Sequence, residues 1–305
     1  VGLVGLGFDY DFKLYHRNRG FRKVLSLLPA RSVDQGMDYV VSLVEVNLAS
    51  RLADGTIRAY QQALTLHLMP INLIGVAISN AAFPQLTERL GEGRLDLFQK
   101  DLRSLLRIIF WMALPTSVVI FFTRGYIVHF IRNTGDQLMA GILGCLVVAI
   151  LFRTIYHMAA RAFYARQDTK TPLYISVFSI SLNIALAIIL TMNLNMGAYG
   201  LAWAQSTVAV FEVVILLLVM SKQMPRMFNR AFVTAIGKMI AASAVAGVVC
   251  YIGVSVMPFR DTDSSFFSAF PKFTIISIVS FGVYLLMSKL LRLPEVDPIL
   301  KKGKK

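Results

Sequence analysis

Two polar stripes run at helical spacing through otherwise apolar sequence. Arg31, Asp34, Gln35, Asp38, Ser42 and Glu45 recur at steps of three or four residues, and Arg58, Gln62, Thr65, Asn72 and Asn80 do the same in the following segment. On helices each set shares one face. Charged side chains in hydrocarbon cost roughly 2.5–3.5 kcal/mol each on insertion scales, so such faces turn to water or to each other. Two of them opposed make a cavity. Arg31 with Asp34 also allows a plainer reading, an ion pair within one helical turn. Glu45 has no basic residue within a turn of it. A buried lone carboxylate takes either a proton or a cation partner, and both suit coupling to an ion, H+ or Na+. Asn183 and Gln205 sit inside apolar runs and offer neutral oxygens to the same hard cation, unless they serve the commoner purpose of hydrogen bonding between helices. A third stripe, Arg153, His157 and Arg161 at four-residue steps, presents guanidinium groups suited to phosphate oxygens, whether of a substrate or of the surrounding lipid.

The elements that must position these residues are membrane helices. Of the 305 residues 56% are hydrophobic and only 16% charged, with a mean hydropathy of +0.63, outside the range of soluble domains. About 20 helical residues cross a ~30 Å hydrocarbon core, and runs of that length predict eight spans: 24–50, 56–87, 104–130, 138–162, 172–193, 198–221, 232–257 and 268–291. The runs are too long, and lack the two-residue alternation, for barrel strands. The fold class is therefore all-α, a polytopic membrane protein. Pro70 and Pro84 remove backbone hydrogen bonds inside the second span, with Gly75 between them, which predicts either a static kink or a hinge. His67 falls on the opposite face from Arg58 and Asn72 and reads as packing. The small residues from Ala241 to Gly247 predict a close helix contact.

The formal charge of +14 does not point to nucleic acid, because the bases lie between spans rather than on one soluble module. Assigning alternate connections to alternate sides leaves only Arg51, Arg58, Arg124, Arg132, Arg260 and Lys272 on one side, with Arg31 inside the first span and every other base opposite. That asymmetry predicts a cytoplasmic C-terminus and a basic surface on anionic lipid. Residues 9–23 mix aromatic and basic side chains like an interfacial connector, and residues 1–8 read as the end of an earlier span, so the chain reads as part of a longer protein. Cys145 and Cys250 show no metal or disulfide spacing. No nucleophile with a base, phosphate loop or metal motif is visible, which predicts a transporter rather than an enzyme.

Several phrases together carry a resemblance. They are Tyr60-Gln61-Gln62-Ala63, the run Met69-Pro70-Ile71-Asn72-Leu73-Ile74-Gly75, Phe83-Pro84-Gln85-Leu86, and above all the loop Arg161-Ala162-Phe163-Tyr164-Ala165-Arg166-Gln167-Asp168-Thr169-Lys170-Thr171-Pro172. They resemble the MurJ/MviN lipid II flippase family of the multidrug/oligosaccharidyl-lipid/polysaccharide exporter superfamily. The resemblance implies two six-helix lobes rocking about a central cavity in the bacterial cytoplasmic membrane. This chain then holds the second lobe at 24–221, two extra helices and a basic tail at 222–305, and the end of the first lobe with a connector at 1–23. Its partners would be lipid II or a related polyprenyl-pyrophosphate glycolipid, anionic membrane lipids, and the missing first lobe. The extra helices would offer a groove to the polyprenyl tail. Where family members often carry an arginine, this chain has Thr65, leaving Arg58 or Arg31 to meet a pyrophosphate. The competing readings are an exporter of another polyprenyl-linked glycan or amphipathic compound, a membrane-embedded polyprenyl-phosphate enzyme, and a scaffold for cell-wall synthesis.

Overall fold

The computed structural model describes residues 39–132, 136–225, 227–258 and 266–297. Within them the chain forms α1 (Tyr39–Ser50), α2 (Thr56–Gly91), α4 (Gln137–Ala165), α5 (Lys170–Asn193) and α6 (Ala198–Gln223), with α3 (Leu95–Arg132), α7 (Arg230–Val256) and α8 (Phe266–Leu290) completing the order. A short turn of 3-10 helix, Pro294–Val296, follows. No strand occurs among the described residues. Helices α2 to α8 are each long and apolar enough to cross a membrane, as the run lengths predict, and the protein is a multi-pass membrane protein. Of the predicted span 24–50 only the second half, α1, is described. Arg31, Asp34, Gln35, Asp38 and the connector at 1–23 lie outside the described residues.

Helix α4 is the centre, packing against α2, α3 and α6, while α5 joins mainly through α6. At the end carrying the basic loops the core is Leu86, Phe98, Leu102, Met158, Phe163 and Met220. At the other end it is Leu48, Tyr60, Ala63, Ile142, Leu146 and Leu201. Lipid tails are as apolar as these side chains, so shape and hydrogen bonds hold the helices together rather than exclusion of water. Helices α7 and α8 pack on each other and on α3 around Trp111, Met239 and Tyr284. There the Tyr284 hydroxyl donates to the Trp111 carbonyl at 2.8 Å and the Trp111 indole donates to Ser288 Oγ at 3.2 Å. The small-residue run of α7 faces α3, where a Cβ on Gly247 would stand 3.0 Å from Val118 Cγ1.

Helix ends follow local chemistry. Asp136 and Asn229 cap α4 and α7, accepting from the N–H of Met139 and Phe232, which satisfies donors the first turn leaves open. Helix α4 ends with Asp168 N–H on the Phe163 carbonyl and Gln167 N–H on Tyr164, a left-handed cap with Gln167 at φ 61°.

Pro70 has no N–H to give, and the ladder of α2 re-registers just after it as a π-helical turn, Ile71–Val76. Ala77 N–H there reaches back to the Asn72 carbonyl. Gly75 lies in this turn with its backbone against α4, where a Cβ would stand 2.9 Å from Thr154 Cα and O. Of the three residues expected to form a hinge, Gly75 is thus a tight contact with α4, while Pro84 sits exposed in the α-helical remainder of α2. Helix α5 also ends in a π-helical turn, Ile189–Asn193, where Gly200 of α6 approaches the Leu190 carbonyl too closely for a side chain.

Candidate functional site

The buried face of α1 carries Glu45, only 2% exposed. Its carboxylate accepts from the Tyr60 hydroxyl of α2 at 2.9 Å and from the Gln205 amide nitrogen of α6 at 2.7 Å. The Gln205 oxygen in turn accepts from Arg153 of α4 at 3.0 Å. One chain of hydrogen bonds therefore crosses four helices. Neighbours dictate the amide's orientation, since a carboxylate only accepts and a guanidinium only donates. Arg153 also lies within electrostatic reach of Glu45, Tyr60, His67 and His157.

Glu45 and Gln205, expected as ligands of one cation, do meet, but the amide turns its nitrogen to the carboxylate because Arg153 holds its oxygen. Asn183, the third expected ligand, is 2% exposed on α5, and among the described residues neither its oxygen nor its nitrogen has a hydrogen-bond partner. No basic residue neighbours Glu45 in sequence; among the described residues a positive charge reaches it from Arg153 of α4, linked to it through the amide.

Arg58, Gln62 and Thr65 come together on the face of α2 opposite Tyr60, lining an open pocket of about 560 Å³ with Ser50, Asp54 and Gln61. Thr65 donates to the Gln61 carbonyl at 3.0 Å. Asn72 is exposed on the π-helical turn. Arg161, at the basic end of α4, donates to Asn80 Oδ1 and stands 5.4 Å over the Phe83 ring, so the third stripe divides between two surroundings. His67 is buried, its Nδ1 against the Leu64 carbonyl.

Tyr60 is the member of the network that sequence reasoning missed. Tyr60, Ala63 and His67 share the buried face of α2, opposite the stripe of Arg58, Gln62 and Thr65, and a tyrosine whose hydroxyl must find a partner when buried was the available signal.

Outside the membrane helices, Asp168 closes the loop into α5 by accepting from the N–H of Thr171 at 3.1 Å and its hydroxyl at 2.7 Å. Burial raises this carboxyl, but the Thr171 bonds, a bond from Gln223 and the Arg166 charge outweigh it and hold it below its ordinary value.

Comparison with known proteins bears on what such a network serves. The family model described as "Lipid II flippase MurJ" matches residues 1–270. The chain is 27% identical over 291 residues to a probable lipid II flippase MurJ of Thermotoga maritima, covering 93% of this chain and 56% of that one. It is 25% identical over 167 residues to the lipid II flippase MurJ of Burkholderia cenocepacia, covering 53% and 32%. It thus spans about half the length of curated relatives it matches, or less. Among solved structures, a lipid II flippase MurJ in an inward closed conformation superposes with TM-score 0.71 at 23% identity, over 92% of this chain and 56% of that one. A superfamily transporter from Pyrococcus furiosus superposes with TM-score 0.62 at 13% identity, over 87% and 62%. At such identities the likeness is one of fold.

Proposed function

The chain belongs to the lipid II flippase MurJ family, and from that premise we propose that it forms the second lobe of an alternating-access flippase. The cargo is lipid II, whose charged headgroup crosses the bacterial cytoplasmic membrane while its polyprenyl tail stays in lipid. The observation that carries this reading is the polar network of Glu45, Tyr60, Gln205 and Arg153, a carboxylate and a guanidinium linked across four helices inside apolar surroundings. A charged headgroup cannot enter hydrocarbon unaided, and ionisable groups inside a membrane bundle mark a path for polar cargo or coupling ions. The relatives are nearly twice as long, which supports a first lobe in the same polypeptide facing the stripes of α1 and α2. The crowding of bases at one end supports a cytoplasmic C-terminus and contact with anionic lipid. Glu45 and Asn183 are the groups we assign to a coupling ion, Na+ or H+, and Pro70, after which the ladder of α2 re-registers, is the place we assign to a bend. A second reading is export of another polyprenyl-linked glycan or an amphipathic compound through the same fold, which superfamily transporters share.

Native mass spectrometry from detergent tests the choice. Retention of lipid II in preference to undecaprenyl phosphate is expected. Retention of neither by the chain, and then by a two-lobe version of the protein, would remove lipid II as the cargo.

A further inference from the structure

We propose that Gln205 is a bridge that holds Arg153 in reserve: its amide ties the Arg153 guanidinium to the ionised Glu45 carboxylate, and neutralising Glu45 frees Arg153 to bind a pyrophosphate. The identity of that anion rests on the flippase reading above; the bridge itself rests on geometry.

Both oxygens of Glu45 accept hydrogen bonds, Oε1 from Gln205 and Oε2 from Tyr60, so the bonded route from Arg153 to the carboxylate runs through the amide, and the rest of their attraction acts through space. A guanidinium has five N–H donors, and Arg153 spends one of them on Gln205. It remains half-buried rather than enclosed, leaving the rest of its fork for an incoming oxyanion.

Two charges held one amide apart in a poorly polarisable interior are strongly interdependent. While Glu45 is ionised, Arg153 is compensated and a second anion gains little. Once a proton or a metal cation cancels the Glu45 charge, Arg153 is an uncompensated cation inside the bundle, and an oxyanion becomes its natural partner. The groups that face this pair from the surrounding helices are Tyr60 and His67 of α2 and His157 of α4. His67 is already engaged by the Leu64 carbonyl, and Tyr60 is engaged by Glu45 itself. Linkage is reciprocal, so anion binding at Arg153 also favours neutral Glu45. A cation site on α1 and an anion site on α4 are thereby loaded together.

The test uses the full chain in detergent, inorganic pyrophosphate as the probe and isothermal titration at one pH and ionic strength. Glu45→Gln keeps the shape and removes the charge, and is expected to tighten pyrophosphate binding about fivefold or more. Gln205→Leu, which cuts the bridge, is expected to act in the same direction. Arg153→Gln abolishes binding, and the Glu45→Gln/Arg153→Gln double variant matches it; a purely structural role for Glu45 does not produce that dependence. If Arg153→Gln does not fold, Arg153→Lys takes its place, keeping the charge, losing the fork and binding more weakly. Unchanged or weaker binding in Glu45→Gln, undetectable binding to both that variant and the wild type, or wild-type affinity in Arg153→Gln overturns the bridge. Lipid II retention by the same preparations separates the two claims. If Glu45→Gln has no effect while lipid II is still preferred, the bridge falls and the flippase reading stands. The opposite pattern keeps the bridge and removes lipid II.

Discussion

Arg107 of α3 and Glu295 of the turn that follows α8 form an ion pair, Nε to Oε1 at 2.5 Å, with side chains 19% and 6% exposed. The approach lacks the alignment of a hydrogen bond, and the other Glu295 oxygen has no partner among the described residues, so attraction between charges carries it. At the same end Lys238 of α7 donates to the Leu291 carbonyl at 3.0 Å, and Arg103 of α3 donates to the Met227 carbonyl at 2.9 Å. These contacts tie the last two helices to α3. Breaking a buried pair from one side strands a charge, at a cost of about 3 kcal/mol. Glu295→Gln should therefore lower the unfolding temperature in detergent clearly. The matched Arg107→Met/Glu295→Leu replacement should recover much of the loss, because the desolvation cost of both charges disappears with the pair.

The contact between Gly75 and Thr154 makes a sharper test of packing. A methyl at residue 75 meets backbone, which cannot rotate away, so Gly75→Ala should destabilise by ~1–3 kcal/mol. A Cβ on Gly237 of α7 would have none of the described residues within 4 Å. There the substitution to Ala should stabilise by ~0.5–1 kcal/mol, the usual cost of glycine inside a helix. Thermal unfolding of the two variants side by side should give opposite signs; equal shifts would mean that α2 does not pack on α4 as described.

Hydrocarbon makes helices legible in sequence because every backbone group must be bonded within its own segment, which is why runs of apolar residues located α2 to α8 closely. The disturbance after Pro70 was legible for a similar reason, a missing N–H, although its form as a π-helical turn and the role of Gly75 as a contact came only with α4 in place. The network was legible in part. Glu45, Arg153 and Gln205 stood out as polar residues in apolar surroundings. Their connection did not, because Glu45 and Gln205 are 160 positions apart and periodicity describes one helix at a time. The direction of the Gln205 amide depends on a third helix and is invisible to any reading of α1 and α6 alone.

Asp168 gives a prediction about acid. Its carboxyl is held below the ordinary value of 3.8 by bonds made only in the folded loop. A depressed carboxylate contributes stability that is present above its unfolded pKa and is lost as pH falls through its folded pKa. Asp168→Ala should cost about 1 kcal/mol at neutral pH, as loss of a helix cap does. The gap between variant and wild type should narrow below roughly pH 4, where the unfolded carboxyl begins to protonate. Unfolding temperatures measured from pH 7 to pH 3 check this, and a gap that stays constant would show that the charge plays no part.

Asn183 offers the most direct test of the proposed coupling ion. A buried amide with neither atom bonded costs about 1–3 kcal/mol, and the residue has no such partner among the described residues. Asn183→Leu, similar in size and apolar, should therefore raise the unfolding temperature in sodium-free buffer. If the amide oxygen serves a sodium ion, the wild type should gain stability with sodium concentration by mass action and show no such gain with an equal concentration of choline. The leucine variant should ignore sodium. The informative quantity is the difference between the two titrations rather than either melting point. A wild type indifferent to sodium would take Asn183 out of the proposed coupling site and leave the assignment to Glu45, through proton uptake.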